Sequence, residues 1–223
     1  MSAAVETRTD LQELAEFVVA RALLAGASDA EVTIREGDEF STTVRLGEVE
    51  TLKESGSRGI GLRVLTEAEN GYRVASTSSS DFTPEGIEHL VNGAVALAHV
   101  TSVDAFAGLA DAAEFGKLGG DLELYHEDVY SLPIEERIAW ARRAEAAAMA
   151  ADTRLVNSDG ASFDAATGRR VFANSRGFMG EYRSSYCSVA TSPIAQGANG
   201  EMQRDYWWSQ ARAFRDLDHP EAV

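Results

Sequence analysis

The stretch Asn157-Ser158-Asp159-Gly160-Ala161-Ser162 places a polar, glycine-bearing bend within a long run of alternating polar and apolar residues. A second such stretch follows at Ala173-Asn174-Ser175-Arg176-Gly177-Phe178-Met179-Gly180-Glu181-Tyr182-Arg183-Ser184. Alternation with period two is typical of half-buried β-strands, and glycine among small polar residues is typical of turns between them. The two stretches therefore predict an array of antiparallel hairpins.

Four strands are predicted in this second half, over residues 154–163, 168–174, 178–191 and 194–209. Small, polar and glycine residues cluster at their expected bends or turns, which are Asp159-Gly160, Ala165-Ala166-Thr167, Ser175-Arg176-Gly177 and Ala198-Asn199-Gly200. Before these strands, apolar residues at helical spacing predict a helix over residues 135–151, capped by Ser131.

The first half contains two further predicted helices. Apolar residues recur at helical spacing from Leu11, with Thr9 or Asp10 placed to cap the helix and Gly26 to end it. Thr83-Pro84 begins the second helix, because proline supplies a helical φ in the first turn, where its missing N–H costs nothing.

Between these helices the apolar pattern has period two, which predicts a meander of about four strands. Gly37-Asp38 and Gly47-Glu48 are predicted to separate the first strands. Asn70-Gly71 predicts a tight hairpin turn between the last two, since both residues tolerate a positive φ.

The order of one helix and then a set of strands thus occurs twice. Residues 101–130 show no period, and so long an irregular segment indicates a domain boundary near residue 115. We predict an α+β chain of two helix-plus-antiparallel-meander units, a possible duplication, over residues 1–115 and 116–223.

Composition excludes several classes of partner. The net charge is −16, from 36 acidic and 20 basic side chains, which disfavours binding of nucleic acid. The single cysteine, Cys187, excludes an intramolecular disulfide and fits a reducing compartment. Because no apolar run is long enough to span a bilayer and no signal segment is recognised, we expect a cytoplasmic protein without a membrane partner.

The residues that usually carry chemistry are scattered along this chain. The four histidines, His89, His99, His126 and His219, do not have the spacing that places two imidazoles on one helix face around zinc. No serine or cysteine nucleophile motif is present either. We therefore predict no catalytic residue and no metal ligand in this sequence.

The candidate functional surface is instead an aromatic strand near the end of the sequence. Arg204, Tyr206, Trp207 and Trp208 are predicted to bind a peptide or a partner subunit, since aromatic edge strands can add an extended peptide by main-chain pairing. A second interpretation is that the aromatic rings pack on the unit's own helix as ordinary core residues. Period two places Trp207 and Trp208 on opposite faces, so at least one should face away from that helix.

The two opening stretches, together with Met202-Gln203-Arg204-Asp205-Tyr206 and Asp121-Leu122-Glu123-Leu124-Tyr125, resemble the TldD/PmbA family. The resemblance covers about residues 8–218 and is closer to the PmbA type, also called TldE. Members of this family are known as modulators of DNA gyrase and as subunits of two-subunit zinc metallopeptidases of bacteria and archaea.

The resemblance implies a noncatalytic PmbA/TldE-like subunit that shapes the peptide chamber of a heterodimer. That heterodimer would degrade or trim unfolded or small peptides, with zinc held by its TldD-type subunit and no cofactor in this chain. This chain would then be inactive alone. Family members are longer, so we expect the sequence to be the N-terminal part of a larger protein.

Two other functions stay open at this point. The sequence could belong to a truncated TldD-type catalytic subunit, whose zinc site would lie in a missing C-terminal region. It could also be a module that binds gyrase or another protein and takes no part in proteolysis.

Overall fold

The computed structural model describes residues 10–116 and 120–223. Its helices and strands follow in the order α1 (Leu11–Leu24), β1 (Asp29–Arg45), β2 (Glu48–Ala68), β3 (Gly71–Ser79), α2 (Pro84–Ala98), β4 (Val103–Asp104), α3 (Ile134–Ala150), β5 (Leu155–Asn174), β6 (Met179–Gln196), β7 (Met202–Arg204) and β8 (Trp207–Ala211). Hydrogen bonds order the strands β4-β3-β2-β1-β5-β6-β7, and β8 also pairs with β6. Helices with an antiparallel sheet confirm the α+β class. Within these ranges, no helix is long and apolar enough to cross a membrane.

The chain divides into two compact units that interleave along the sequence. The first unit contains the described residues of segments 1–36, 58–120 and 169–182, and the second contains those of 37–57, 121–168 and 183–223. The long strands β1, β2, β5 and β6 each contribute residues to both units. The sequential division at residue 115 stays a prediction.

In the first unit, helices α1 and α2 cover one face of the strands. Their apolar side chains pack against alternate strand residues, namely Ala30, Val32, Ile34, Ile60, Leu62 and Val64. The Asp10 side chain accepts the N–H of Gln12 at 2.9 Å, and the Thr83 hydroxyl accepts that of Gly86 at 3.1 Å. Asp10 is therefore confirmed as the cap of α1, and α2 begins at Pro84 as predicted, with Thr83 as its cap.

In the second unit, helix α3 packs on its own part of the sheet. Trp140 of α3 lies edge-on to Phe163 of β5, with ring centroids 6.2 Å apart. The buried guanidinium of Arg137 lies 4.7 Å from the centroid of the Phe40 ring and donates to the carbonyl of Leu132 at 3.0 Å. A buried cation is tolerated here because aromatic faces and carbonyl oxygens surround it.

Several predicted strand ends are wrong, because the strands are longer than the local signals indicate. Gly37-Asp38 lies inside β1, Ala165-Ala166-Thr167 lies inside β5, and β6 continues through Pro193. A Cβ added at Gly37 would lie 2.5 Å from the carbonyl oxygen of Thr167. Gly37 therefore allows two backbones to approach closely within the sheet, where the sequence predicted a turn.

The predicted cap of α3 is also wrong. The helix begins at Ile134, and the residue before it, Pro133, makes no side-chain cap. The Ser131 hydroxyl instead donates to the carbonyl oxygen of Asp128 at 2.6 Å. Serine hydroxyls bond readily to nearby backbone groups, in turns as well as at helix starts. Ser131 lies in a short turn three residues before the helix, so its sequence signal resembles that of a helix cap.

Candidate peptide and subunit interface

The predicted interface lies on β7 and β8, which both pair with β6. Antiparallel pairing places Trp207 opposite Thr191 and Trp208 opposite Ala190. Directly opposed residues share a face of the sheet, so the two indoles start from opposite faces. The backbone of β8 thus alternates as predicted, but the two rings are neighbours, with centroids 5.8 Å apart, and do not lie on opposite sides of the sheet.

Three of the predicted interface residues form one exposed group. Tyr206, Trp207 and Trp208 are exposed by 64%, 61% and 47%. The ring of Tyr206 stacks on that of Trp208 with a centroid distance of 5.7 Å, and the ring of Trp207 lies 5.8 Å from Trp208. We call these three residues the aromatic cluster. Because all three are exposed, the interpretation of them as core residues packed on the helix is wrong.

Asp205 fixes the path of the chain just before the aromatic cluster. Its carbonyl oxygen accepts from the Ser192 hydroxyl at 3.2 Å, and its backbone N–H donates to the Pro193 carbonyl at 3.4 Å. Its carboxylate accepts the N–H of Tyr206 at 2.9 Å. These bonds attach the connection between β7 and β8 to β6, so the aromatic cluster projects from an anchored backbone.

Arg204, the fourth predicted residue, forms an ion pair with a distant carboxylate. Its guanidinium donates to Asp159 of β5 at 2.5 Å, and this hydrogen bond raises the pKa of Arg204. Both side chains of the observed pair are more than a third exposed, so its contribution to stability is small.

A groove of about 300 Å³ lies beside the aromatic cluster in the second unit. It is lined by Ala148, Ala151, Leu155, Thr191, Pro193, Asp205, Tyr206, Trp207 and Val223. Most of these side chains are apolar, and the volume is at the lower end of the range for small-ligand sites. The groove can accommodate an apolar side chain of a bound polypeptide, with Trp207 as one wall.

The contribution of α3 and β5 to this groove was not predicted from the sequence. Ala148, Ala151 and Leu155 are ordinary residues of a helix end and a strand start, so no local signal distinguishes them. Pro193 carries a weak signal, because proline inside a strand indicates that its nitrogen side is not paired.

The four histidines lie apart from this groove and from one another in the chain. His89 and His99 are exposed on or just after α2. His126 contacts Arg215 and the carbonyl of Glu123. His219 lies 2.8 Å from Glu221, whose pKa is lowered to about 2 by its hydrogen bonds with Arg143 and then His219.

Zinc needs three or four converging protein ligands. Across residues 10–116 and 120–223, no three His, Cys, Asp or Glu side chains are grouped so that they could hold a metal ion. The described residues thus do not fit a zinc site, and we assign no zinc ligand among them.

Two family models match the chain. One describes the PmbA/TldA metallopeptidase domain 1 and matches residues 30–98. The other describes the PmbA/TldA metallopeptidase central domain and matches residues 127–223. The chain belongs to the TldD/PmbA family. The resemblance drawn from its motifs is thereby confirmed.

Individual members of the family show the same relationship. The chain is 38% identical over 202 residues to Metalloprotease PmbA of Escherichia coli O157:H7. The matched region covers 90% of this chain and 43% of that protein. It is 35% identical to a Metalloprotease PmbA homolog of Haemophilus influenzae, covering 95% of this chain and 45% of that protein. The chain therefore spans less than half the length of these curated relatives.

A solved structure supports the fold. A protein from Bacteroides thetaiotaomicron described as a modulator of DNA gyrase superimposes with a TM-score of 0.84 at 23% identity, covering 95% of this chain and 47% of that chain. At this identity the likeness concerns the fold alone. The chain is thus a member of the TldD/PmbA family by its sequence, with the corresponding fold.

Proposed function

We propose that this chain is the N-terminal part of a PmbA/TldE-like noncatalytic subunit in a zinc-dependent peptidase heterodimer. The observation that carries this proposal is the 38% identity to Metalloprotease PmbA over 90% of the chain. The TldD-type partner subunit holds the zinc in this proposal, and the substrates are unfolded or small peptides in the cytoplasm.

The aromatic cluster and its groove provide the contact surface that such a subunit needs. Exposed tryptophan and tyrosine rings are frequent anchors of protein interfaces, because they bury a large area at a low cost in side-chain entropy. An extended polypeptide beside β8 can place a side chain in the groove while its backbone pairs with the strand. We assign the aromatic cluster to partner binding or peptide capture.

The test uses the full-length protein and the TldD-type protein of the same organism. Each is incubated alone, and then as a mixture, with unstructured fluorogenic peptides, and the zinc content of each is measured after dialysis. We expect cleavage by the mixture and zinc in the TldD-type protein. Zinc in equal amount in the full-length protein, together with cleavage by it alone, would identify it as a catalytic subunit and contradict the proposal.

A binding experiment separates the proposal from a role limited to gyrase. The full-length protein is immobilised and exposed in parallel to the TldD-type protein and to purified gyrase. We expect retention of the TldD-type protein. Retention of gyrase with no binding of the TldD-type protein would favour a gyrase-binding module.

A further inference from the structure

The first part of β2, from Glu48 to Ser57, is exposed at every residue on both faces. Strand β3 pairs with β2 only between Ile60 and Ala68. No strand of the described part of the chain therefore covers the outer side of residues 48–57. We call these residues the open edge. A strand edge with unpaired N–H and C=O groups is a template for another strand.

The open edge is held in place by contacts within the second unit. The buried carboxylate of Glu145 accepts the N–H groups of Leu46 and Gly47, both at 2.8 Å, at the turn that leads into β2. Arg142 donates to the carbonyl of Gly47 at 3.0 Å. Further along, the Thr42 hydroxyl donates to the carbonyl of Thr51 at 3.1 Å. A strand fixed in this way loses little conformational entropy when another strand pairs with it.

The open edge carries mainly negative charge. Glu48, Glu50 and Glu54 occupy alternate positions and so share one face of the strand, with Leu52 between them. Lys53 is its one basic residue, and it lies on the other face. Arg45 lies 3.8 Å from Glu50, but both side chains are about half exposed, which leaves this carboxylate accessible to a partner.

Neighbouring carboxylates extend this acidic surface along β1. Asp38 and Glu39 belong to β1, and an Asp38 carboxylate oxygen lies 3.3 Å from the position of a Cβ added at Gly56 of the open edge. The surface beside the open edge is therefore acidic at several positions.

The charge determines which occupant fits. Pairing with a second copy of the same edge would bring together two strands that each carry three glutamates and one lysine, and this like charge disfavours the pairing. If a strand with lysine or arginine at alternate positions paired with the open edge, its positive charges would lie opposite the glutamates. An apolar residue of that strand would lie opposite Leu52. We propose that the open edge is a docking site for an extended, positively charged polypeptide segment, which adds to β2 as a further strand. This proposal does not depend on the function proposed above.

The first test measures the binding of a synthetic peptide to the full-length protein by fluorescence anisotropy. The probe is a labelled ten-residue peptide with alternating lysine and valine, and its two controls are a glutamate version and a version N-methylated along the backbone. We expect the lysine peptide to bind and each control to bind at least about tenfold more weakly. Equal binding of the N-methylated peptide would show that charge alone is recognised and would overturn the proposed strand pairing.

The second test changes the protein. The double variant Glu50→Lys/Glu54→Lys reverses charge on the open edge, and Glu16→Lys/Glu67→Lys makes the same change in net charge at exposed positions of the first unit. We expect the first variant to lose at least about tenfold in affinity for the lysine peptide and the second to stay within about twofold of the wild type. Equal losses would overturn the proposal.

A light-scattering measurement examines the competing occupant. If the wild-type protein alone dimerises and Glu50→Lys/Glu54→Lys abolishes the dimer, the occupant is a second copy and the proposal is wrong. We expect no effect of this variant on the mass of the isolated protein. Should the variant fail to fold, the comparison of the three peptides on the wild-type protein still decides the question.

Discussion

The carboxylate of Glu145 in α3 accepts a hydrogen bond from the backbone N–H of Gly47 at 2.8 Å. Its other oxygen accepts the N–H of Leu46 at the same distance, and Glu145 is only 3% exposed. Both turn residues have a positive φ, 51° at Leu46 and 82° at Gly47. A single buried side chain thus satisfies two backbone donors of this hairpin turn. The turn requires a positive φ at Leu46, which costs free energy for a residue other than glycine.

Replacement of this carboxylate should destabilise the protein. We expect Glu145→Ala to lower the free energy of unfolding by about 2–3 kcal/mol, because two N–H groups lose a charged acceptor. The measurement is urea denaturation, with Glu136→Ala at an exposed position of the same helix as the control. Equal midpoints for the two variants would show that the turn does not depend on Glu145.

The pH dependence of stability should carry a contribution from Cys187. Burial, and then the nearby charge of Asp128, raises the pKa of this thiol to about 11 from an ordinary value of 9.0. The folded state favours the neutral thiol, so its contribution to stability is complete below pH 9 and is lost as the pH rises towards 11.

We therefore expect wild-type stability to fall more steeply than that of Cys187→Ala between pH 9 and pH 11. Urea denaturation of both proteins across this range measures the difference, and the titration of other groups cancels in the comparison. Alkylation at pH 8 should likewise be slow in the native protein and fast in urea. Parallel stability curves would contradict the raised pKa.

Arg176 attaches an irregular segment to the first unit. Its guanidinium donates to the carbonyl of Leu109 at 2.9 Å, to Asp111 at 3.1 Å and to Asp29 at 2.9 Å. We expect the first chymotrypsin cuts between Thr101 and Tyr130, and several-fold faster cutting there in Arg176→Ala. Mass measurement of the fragments checks both statements.

The control for this experiment is Arg154→Ala. Arg154 is exposed and pairs with Asp152, two residues away in the chain, so its removal should not change the cleavage rate. First cuts within β6, or identical rates in Arg176→Ala and the wild type, would contradict the role of Arg176.

Substitutions in the aromatic cluster should affect association more than stability. We expect Trp207→Ala and Trp208→Ala each to weaken binding of the TldD-type subunit or of peptide by about 2 kcal/mol. Because Trp207 is 61% and Trp208 is 47% exposed, each variant should lose less than about 1 kcal/mol of folding stability. Thermal denaturation and surface plasmon resonance of the full-length protein measure the two effects.

Phe106→Ala is the matched control, since Phe106 is an aromatic residue that is 99% exposed in the first unit. It should change neither property. If Trp207→Ala and Trp208→Ala strongly destabilise the fold and leave binding unchanged in the protein that remains folded, the aromatic cluster is not an interface.

The parts of the fold that sequence predicted well depend on local chemistry. Asp10 and Thr83 cap their helices through bonds to residues two and three positions ahead, and Gly177 and Gly200 form turns with φ of 89° and 85°. The wrong strand end at Gly37 has a non-local cause. Whether that glycine makes a turn or admits another strand depends on Thr167, which is 130 positions away in the chain.

The candidate site shows the same division. Alternation correctly predicted the backbone positions of Trp207 and Trp208 in β8, but not that their rings lie 5.8 Å apart as neighbours. Their exposure depends on which other parts of the chain pack beside β8, and the partner of Arg204 depends on the position of Asp159 in another strand. The period-two pattern of the sequence contains no information on this exposure or on the partner of Arg204. The aromatic surface could therefore be predicted from the sequence, and the groove beside it could not.

The most direct test of the proposed heterodimer is native mass spectrometry of the full-length protein mixed with its TldD-type partner, with zinc counted on each component. We expect a complex with one copy of each subunit, zinc bound to the TldD-type subunit, and none bound to the full-length protein measured alone. Two separate proteins that do not associate, with zinc bound stoichiometrically to the full-length protein, would contradict it.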